Sequence, residues 1–159
     1  ILFPMQFTNY SIDMLEYVIV VARSLRARLH LLHVITSEES PGFEALNEFF
    51  YTIRDDPEAS VTRSALDQTD LVKVHIKDAS VARGITRYAA ENEIDMIMMA
   101  AHTRSPEGGM SLNQTVLHVL EKGPCPVMII QWPSERSQHQ SRFELTLQEI
   151  KKEIAAHRT

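Results

Sequence analysis

The residues that could build a binding site are Arg104, Gly108-Gly109, Asn113 and Thr115, just ahead of an amphipathic run carrying Val116, Leu117 and Leu120. These are the residue types an anion site needs. Adjacent glycines let backbone N–H groups approach a ligand and adopt positive φ. Amide and hydroxyl side chains at a helix start add polar contacts where the helix end is electropositive. Arg104 adds a forked cationic donor. The plainer reading is that Gly108-Gly109 form only a turn after Pro106, and both readings stand. No other set of residues carries chemistry of its own. The seven histidines include none with Cys/His zinc spacing. His30 and His33, three apart on a strand, face opposite sides. No metal site is expected. His102 stands apart because it follows the carboxyl end of a strand. Cys125, between Pro124 and Pro126, reads as a structural thiol. No Ser/His/Asp order, paired acids or Gly-Lys-(Ser/Thr) phosphate loop is visible, so no catalytic residue and no enzyme mechanism are assigned.

Alternating strands and helices would position that stretch. Ile1 to Met5 reads as a short buried strand, with Pro4 awkward there because it removes a ladder donor. Thr8, Asn9 and Ser11 offer caps for a helix from Ile12 to Arg26, with Leu15, Val18, Ile19, Ala22 and Leu25 at helical spacing. Leu29–Ile35 is a strand. Phe43, Leu46, Phe50 and Ile53 mark a second helix that Asp55-Asp56-Pro57 either interrupts, with Val61–Leu66 resuming it, or ends. Leu71–Ile76 alternates as a strand. Asp78 or Ser80 caps a helix showing Val81, Ile85 and Tyr88. Ile94–Ala101 is a strand, Leu112–Glu121 a helix stopped by Gly123-Pro124, and Val127–Trp132 a last strand. Apolar strands alternating with amphipathic helices predict a three-layer, doubly wound α/β fold with a five-stranded parallel sheet. Its crevice lies outside the carboxyl ends of the strands, where the strand order switches. Gln6, Val34 and the loop after Ala101 meet there.

The 159 residues are 44% hydrophobic and 23% charged, as in an ordinary globule, and the net charge of −5 argues against nucleic acid. One cysteine excludes an intrachain disulfide. No apolar run reaches the ~20 residues a membrane helix needs, no signal-peptide pattern is present, and the expected location is the cytoplasm. Residues 133–159 stand apart from the domain at 1–132. A polar stretch to Ser141 precedes an amphipathic segment, Arg142 to His157, whose Phe143, Leu147, Ile150 and Ile154 form a short coiled-coil-like seam. It either folds back on its own domain or a dimer mate, or connects to a parent chain or a partner helix.

Two stretches resemble the universal stress protein (UspA-like) family. The first, ILFPMQFTNYSIDMLEYVIVVARSLRARLHLLHVI, is similar to the family's opening strand, helix and "LLHV" strand. The second, Asp95 to Ile130, is similar to its "DLIVMGSHGRSG" and "GSVAERVLRHAPCPVLVV" segments, with Gly123-Pro124-Cys125-Pro126-Val127 on the "PCPV" turn. The resemblance implies a Rossmann-like sheet of the adenine nucleotide alpha hydrolase type, with strand order 3-2-1-4-5 and here an extra C-terminal helix. It also implies a homodimer paired through the last strand, with Val127, Met128, Ile129 and Ile130 as the edge. Members that bind ATP use a G-x2-G-x9-G-(S/T) loop and an acidic residue at the end of the first strand. The matching positions here are Ala100, Thr103, Asn113 and Gln114, the acid is Gln6, and Phe7 replaces the small residue after it. Val34 beside the adenine pocket, His102, Arg104 and Ser105 are retained, and Thr115 supplies a hydroxyl one place late.

The resulting expectation is a stress-response or signalling domain acting through dimerisation and protein contacts, without a tightly bound cofactor. One alternative is an ATP or AMP sensor whose phosphate site is rebuilt from Arg104, Gly108-Gly109, Asn113 and Thr115. Another is the cytoplasmic regulatory domain of a membrane transporter such as a cation/proton antiporter, motivated by the immediate strand start at Ile1 and the tail segment.

Overall fold

The computed structural model describes residues 1–5, 10–37, 60–101 and 112–131. Five strands, β1 (Leu2–Pro4), β2 (Leu29–Ile35), β3 (Leu71–Lys77), β4 (Ile97–Ala101) and β5 (Val127–Gln131), form one sheet in the order β3-β2-β1-β4-β5. Every pairing is parallel. Helix α1 (Tyr10–Ser24) follows β1, α2 (Ser60–Asp67) precedes β3, α3 (Val81–Glu91) links β3 to β4, and α4 (Gln114–Lys122) links β4 to β5. This is the doubly wound order expected from the sequence. The second helix face at 43–53 and the tail segment fall outside the described residues. None of the described helices is long and apolar enough to cross a membrane.

The period-2 alternation of the strands divides their side chains between two covered faces. Phe3, Leu29, Leu31 and Met98 join Leu15, Val18 and Ile19 of α1 and Ala65 and Leu66 of α2 in one cluster. Leu2, Leu32, Val34, Ile97 and Met99 join Ala82, Ile85 and Tyr88 of α3 and Val116 and Val119 of α4 in the other. The largest of these side chains are fully buried, each worth about 1.5–3 kcal/mol of transfer free energy.

Pro4 lies within the central strand, and the ladder shows why it is tolerated. Successive N–H groups on a strand point to opposite neighbours. Leu2 donates toward β4 (to Met96 O, 2.8 Å), and Met5 donates toward β2 (to Leu32 O, 2.8 Å). The N–H that proline lacks is therefore the next donor on the β4 side. There the register contains only Leu2↔Ile97, whereas pairing with β2 runs on through Pro4↔Leu32. Proline thus ends the β1–β4 ladder early at the point where the strand order switches, the usual place for a crevice.

Element ends follow local chemistry. Ser80, not Asp78, is the N-cap of α3, accepting from Arg83 N. β4 begins at Ile97 rather than Ile94, because Ile94 N bonds Ala89 O at 3.0 Å and its side chain packs against α3. Gly123 closes α4 in an extended conformation, with its N–H on Val119 O.

Gly84 sets how closely α3 sits on the sheet. A Cβ there would stand 2.9 Å from Val34 Cγ1 and 3.2 Å from both Val34 Cγ2 and Asp78 Cβ. None of these atoms is the end of a flexible chain. Alanine would gain about 1 kcal/mol of helix propensity against an overpacking cost of about 1–3 kcal/mol. Gly84→Ala is expected to lower stability, by up to about 2 kcal/mol, in urea unfolding. A gain in stability would show that α3 is not seated this tightly.

Candidate functional site

The crevice side of the molecule is built by the carboxyl ends of the strands and the amino ends of α3 and α4. Asn113 heads α4. Its backbone is extended (φ −71, ψ 162), and its Oδ1 accepts from Val116 N at 2.9 Å. Asn113 O accepts from Leu117 N at 3.1 Å, the first bond of the helix. This is an N-cap, a position asparagine fills as well as any residue. Left-handed backbone, which asparagine tolerates and a loop glycine would offer, is not used here. The cap has a chemical consequence. The N–H groups of a helix's first turn are the donors that would hold an anion, and the one on Val116 is taken by the chain itself.

Beside the cap, Gln114 is exposed and Thr115 half-buried. Both line an open groove of about 320 Å³ that runs between the starts of α3 and α4 and is completed by Ser80, Ala82, Leu117, His118 and Glu121. Of the three consecutive residues Asn113, Gln114 and Thr115, the last two line the groove and Asn113 caps the helix behind it. Val34 and Ala100 are placed differently. The Val34 side chain is buried in the α3–α4 cluster against the Gly84 backbone, and Ala100 is packed against the α1 cluster on the opposite face. Gln6, His102, Thr103, Arg104, Gly108 and Gly109 lie outside the described residues. Among the described residues no group of three or more His, Cys, Asp or Glu could hold a metal.

Sequence reading missed a charged cluster at the same rim. Asp78 follows β3, donating its N–H to Ile35 O, and its side chain is inaccessible to solvent. Oδ1 accepts from Arg83 Nε (2.8 Å) and Ser80 N (3.1 Å), and Arg83 Nη2 lies 2.7 Å away. Oδ2 is buried without a hydrogen bond, 3.4 Å from Arg87 Nη2. The hydrogen bond from Arg83, then that from Ser80, holds the carboxyl below its ordinary value, outweighing burial. The signal was present: an Asp-x-Ser turn before a helix, with arginines at 83 and 87 on one helical face. At the opposite end of the sheet, His30 Nδ1 lies 2.8 Å from Tyr88 Oη, and burial pushes the Cys125 thiol up, away from reactivity.

The family model of the universal stress proteins matches residues 1–131. The chain belongs to the universal stress protein family. Its fold is also that of solved universal stress proteins. One from Archaeoglobus fulgidus superposes with a TM-score of 0.60 at 17% identity, covering 81% of this chain and 96% of that one. A second, solved in complex with cAMP, gives 0.59 at 13% identity, covering 82% and 94%. A third, from Archaeoglobus fulgidus in complex with dAMP, gives 0.54 at 14%, covering 81% and 94%. At such identities the likeness is one of fold. No curated protein sequence matches. In this universal stress protein the start of α4 is capped by Asn113, with Gln114 exposed beside the cap.

The Asp78 cluster gives the domain an acid-sensitive element. An unfolded carboxyl titrates near 3.8, and the folded one lies lower. The stabilisation is therefore present above the unfolded value and is lost as pH falls through the folded value. Asp78→Asn is expected to flatten the acid limb of a plot of urea midpoint against pH. Superimposable acid limbs for the two proteins would show that the cluster is not linked to folding.

Proposed function

We propose that this universal stress protein is a non-enzymatic, cytoplasmic stress-response domain that works through protein contacts and does not hold ATP tightly. The observation that carries the reading is the Asn113 cap: Oδ1 at 2.9 Å on Val116 N occupies a donor that a bound phosphate would need. The neutral Gln114 amide, in place of a hydroxyl, points the same way.

The contact surface in this reading is β5, pairing with a second copy. The sheet has two edges of different character. β3 exposes Lys73, His75 and Lys77, charged and polar groups of the kind that discourage edge pairing. β5 offers Val127, Met128, Ile129 and Ile130, with Met128 41% exposed. An apolar edge of this kind favours a partner strand.

A second reading has one observation in its favour. Universal stress proteins of the same fold have been solved with cAMP and dAMP. In that reading Arg104, Gly108-Gly109, Asn113 and Thr115 rebuild a nucleotide site.

Calorimetric titration of the full chain with ATP, ADP and AMP separates the two. The expected result is binding weaker than about 1 mM, or about −4 kcal/mol. Micromolar ATP affinity that Arg104→Ala abolishes would establish the second reading instead. Light scattering tests the contact surface: twice the 18.1 kDa chain mass is expected, and a monomer at micromolar concentration would contradict it.

A further inference from the structure

Four large hydrophobic residues are exposed among the described ones: Leu25, Leu117, Leu120 and Met128. Two of them, Leu117 and Leu120, each 44% exposed, are three apart on α4. They lie on one flank of the helix, while Val116 and Val119 face the sheet and are buried. Residues three apart on a helix form one contiguous patch. No described element covers it.

The same chain carries an apolar seam of matching form. Phe143, Leu147, Ile150 and Ile154 repeat at helical spacing, and Leu147 and Ile150 are separated by three residues, as Leu117 and Leu120 are. A helical stretch over 143–154 would be about 18 Å long, enough to lie along the nine residues of α4, about 13 Å. The connection permits it. β5 ends at Gln131, on the edge of the sheet next to β4 and at the end where α4 starts. Residues 132–142 can span at most about 36–40 Å, several times the 8–10 Å between packed helices.

We propose that residues 143–154 pack on the Leu117–Leu120 flank of α4 within the same chain. A tethered segment reaches an effective concentration in the ~mM range, which favours it over a separate partner protein at micromolar concentration. The proposal does not rest on the ATP-free reading or on β5 pairing.

Hydrogen exchange of the full 159-residue chain tests it. In Ile150→Glu, the amides of α4 are expected to exchange about tenfold faster while those of α1 are unchanged. Leu117→Glu is expected to speed exchange across 143–154 to a similar degree, and the double variant should add little to either single change. Both substitutions are outside the two buried clusters, so the sheet remains folded and serves as the internal control. Unchanged α4 exchange in Ile150→Glu would overturn the proposal. So would α4 protection that is lost on dilution, which would assign the flank to a second copy.

Discussion

A central strand in a parallel sheet must satisfy two neighbours at once, and in this protein that strand is only Leu2, Phe3 and Pro4. Phe3 anchors the α1 side and Leu2 the α3–α4 side, both buried. β1 also separates the two halves of the winding, since chain order runs outward from it in both directions. The placement of proline decides what kind of centre it is. Its missing donor faces β4, so the halves share a ladder at Leu2 and part beyond it, while β1 stays tied to β2 as far as Met5. The crevice of the fold belongs to the switch in strand order at β1, and the N–H absent at Pro4 shortens the β1–β4 ladder on that side.

What fills such a crevice depends on how those helix starts are satisfied. A first turn has donors without partners, and either a ligand or a side chain must meet them. At each of these two starts one of those donors is met from within. Asn113 caps α4, and Ser80 caps α3 with Asp78 folded beneath it and held by Arg83. Gly84 lets α3 descend onto Val34, which makes that residue part of the core. Universal stress proteins of this fold have been solved with cAMP and dAMP; in this chain Val116 N and Arg83 N, one donor at each of the two helix starts, are met by the chain's own side chains.

Much of this was legible in the sequence. Apolar strand runs and helical spacing at Leu15, Val18, Ile19 and Ala22 are direct consequences of covering both faces of a sheet, so the parallel sheet and the helix faces followed, while the strand order came from the family resemblance. Asn113 and Gln114 were legible as departures from the phosphate-binding pattern. That asparagine would act as a cap rather than a left-handed turn was not, because both conformations suit the residue and only the neighbouring N–H decides. Asp78 was seen as a candidate cap and proved to be a buried anion clamped by two arginines. That depends on how deeply α3 sits, which Gly84 fixes through a contact with a residue fifty positions earlier. Pro4 looked unfavourable in a central strand because its side of the ladder cannot be read from a single strand.

The most direct test of the account is the Val116 amide. In ¹⁵N-labelled full-length protein titrated with AMP and ATP to about 1 mM, its resonance should stay fixed, because the N–H is already bound to Asn113 Oδ1. A saturable shift of Val116 together with Thr115, with a micromolar midpoint, would contradict the claim that this helix end is closed by its own chain.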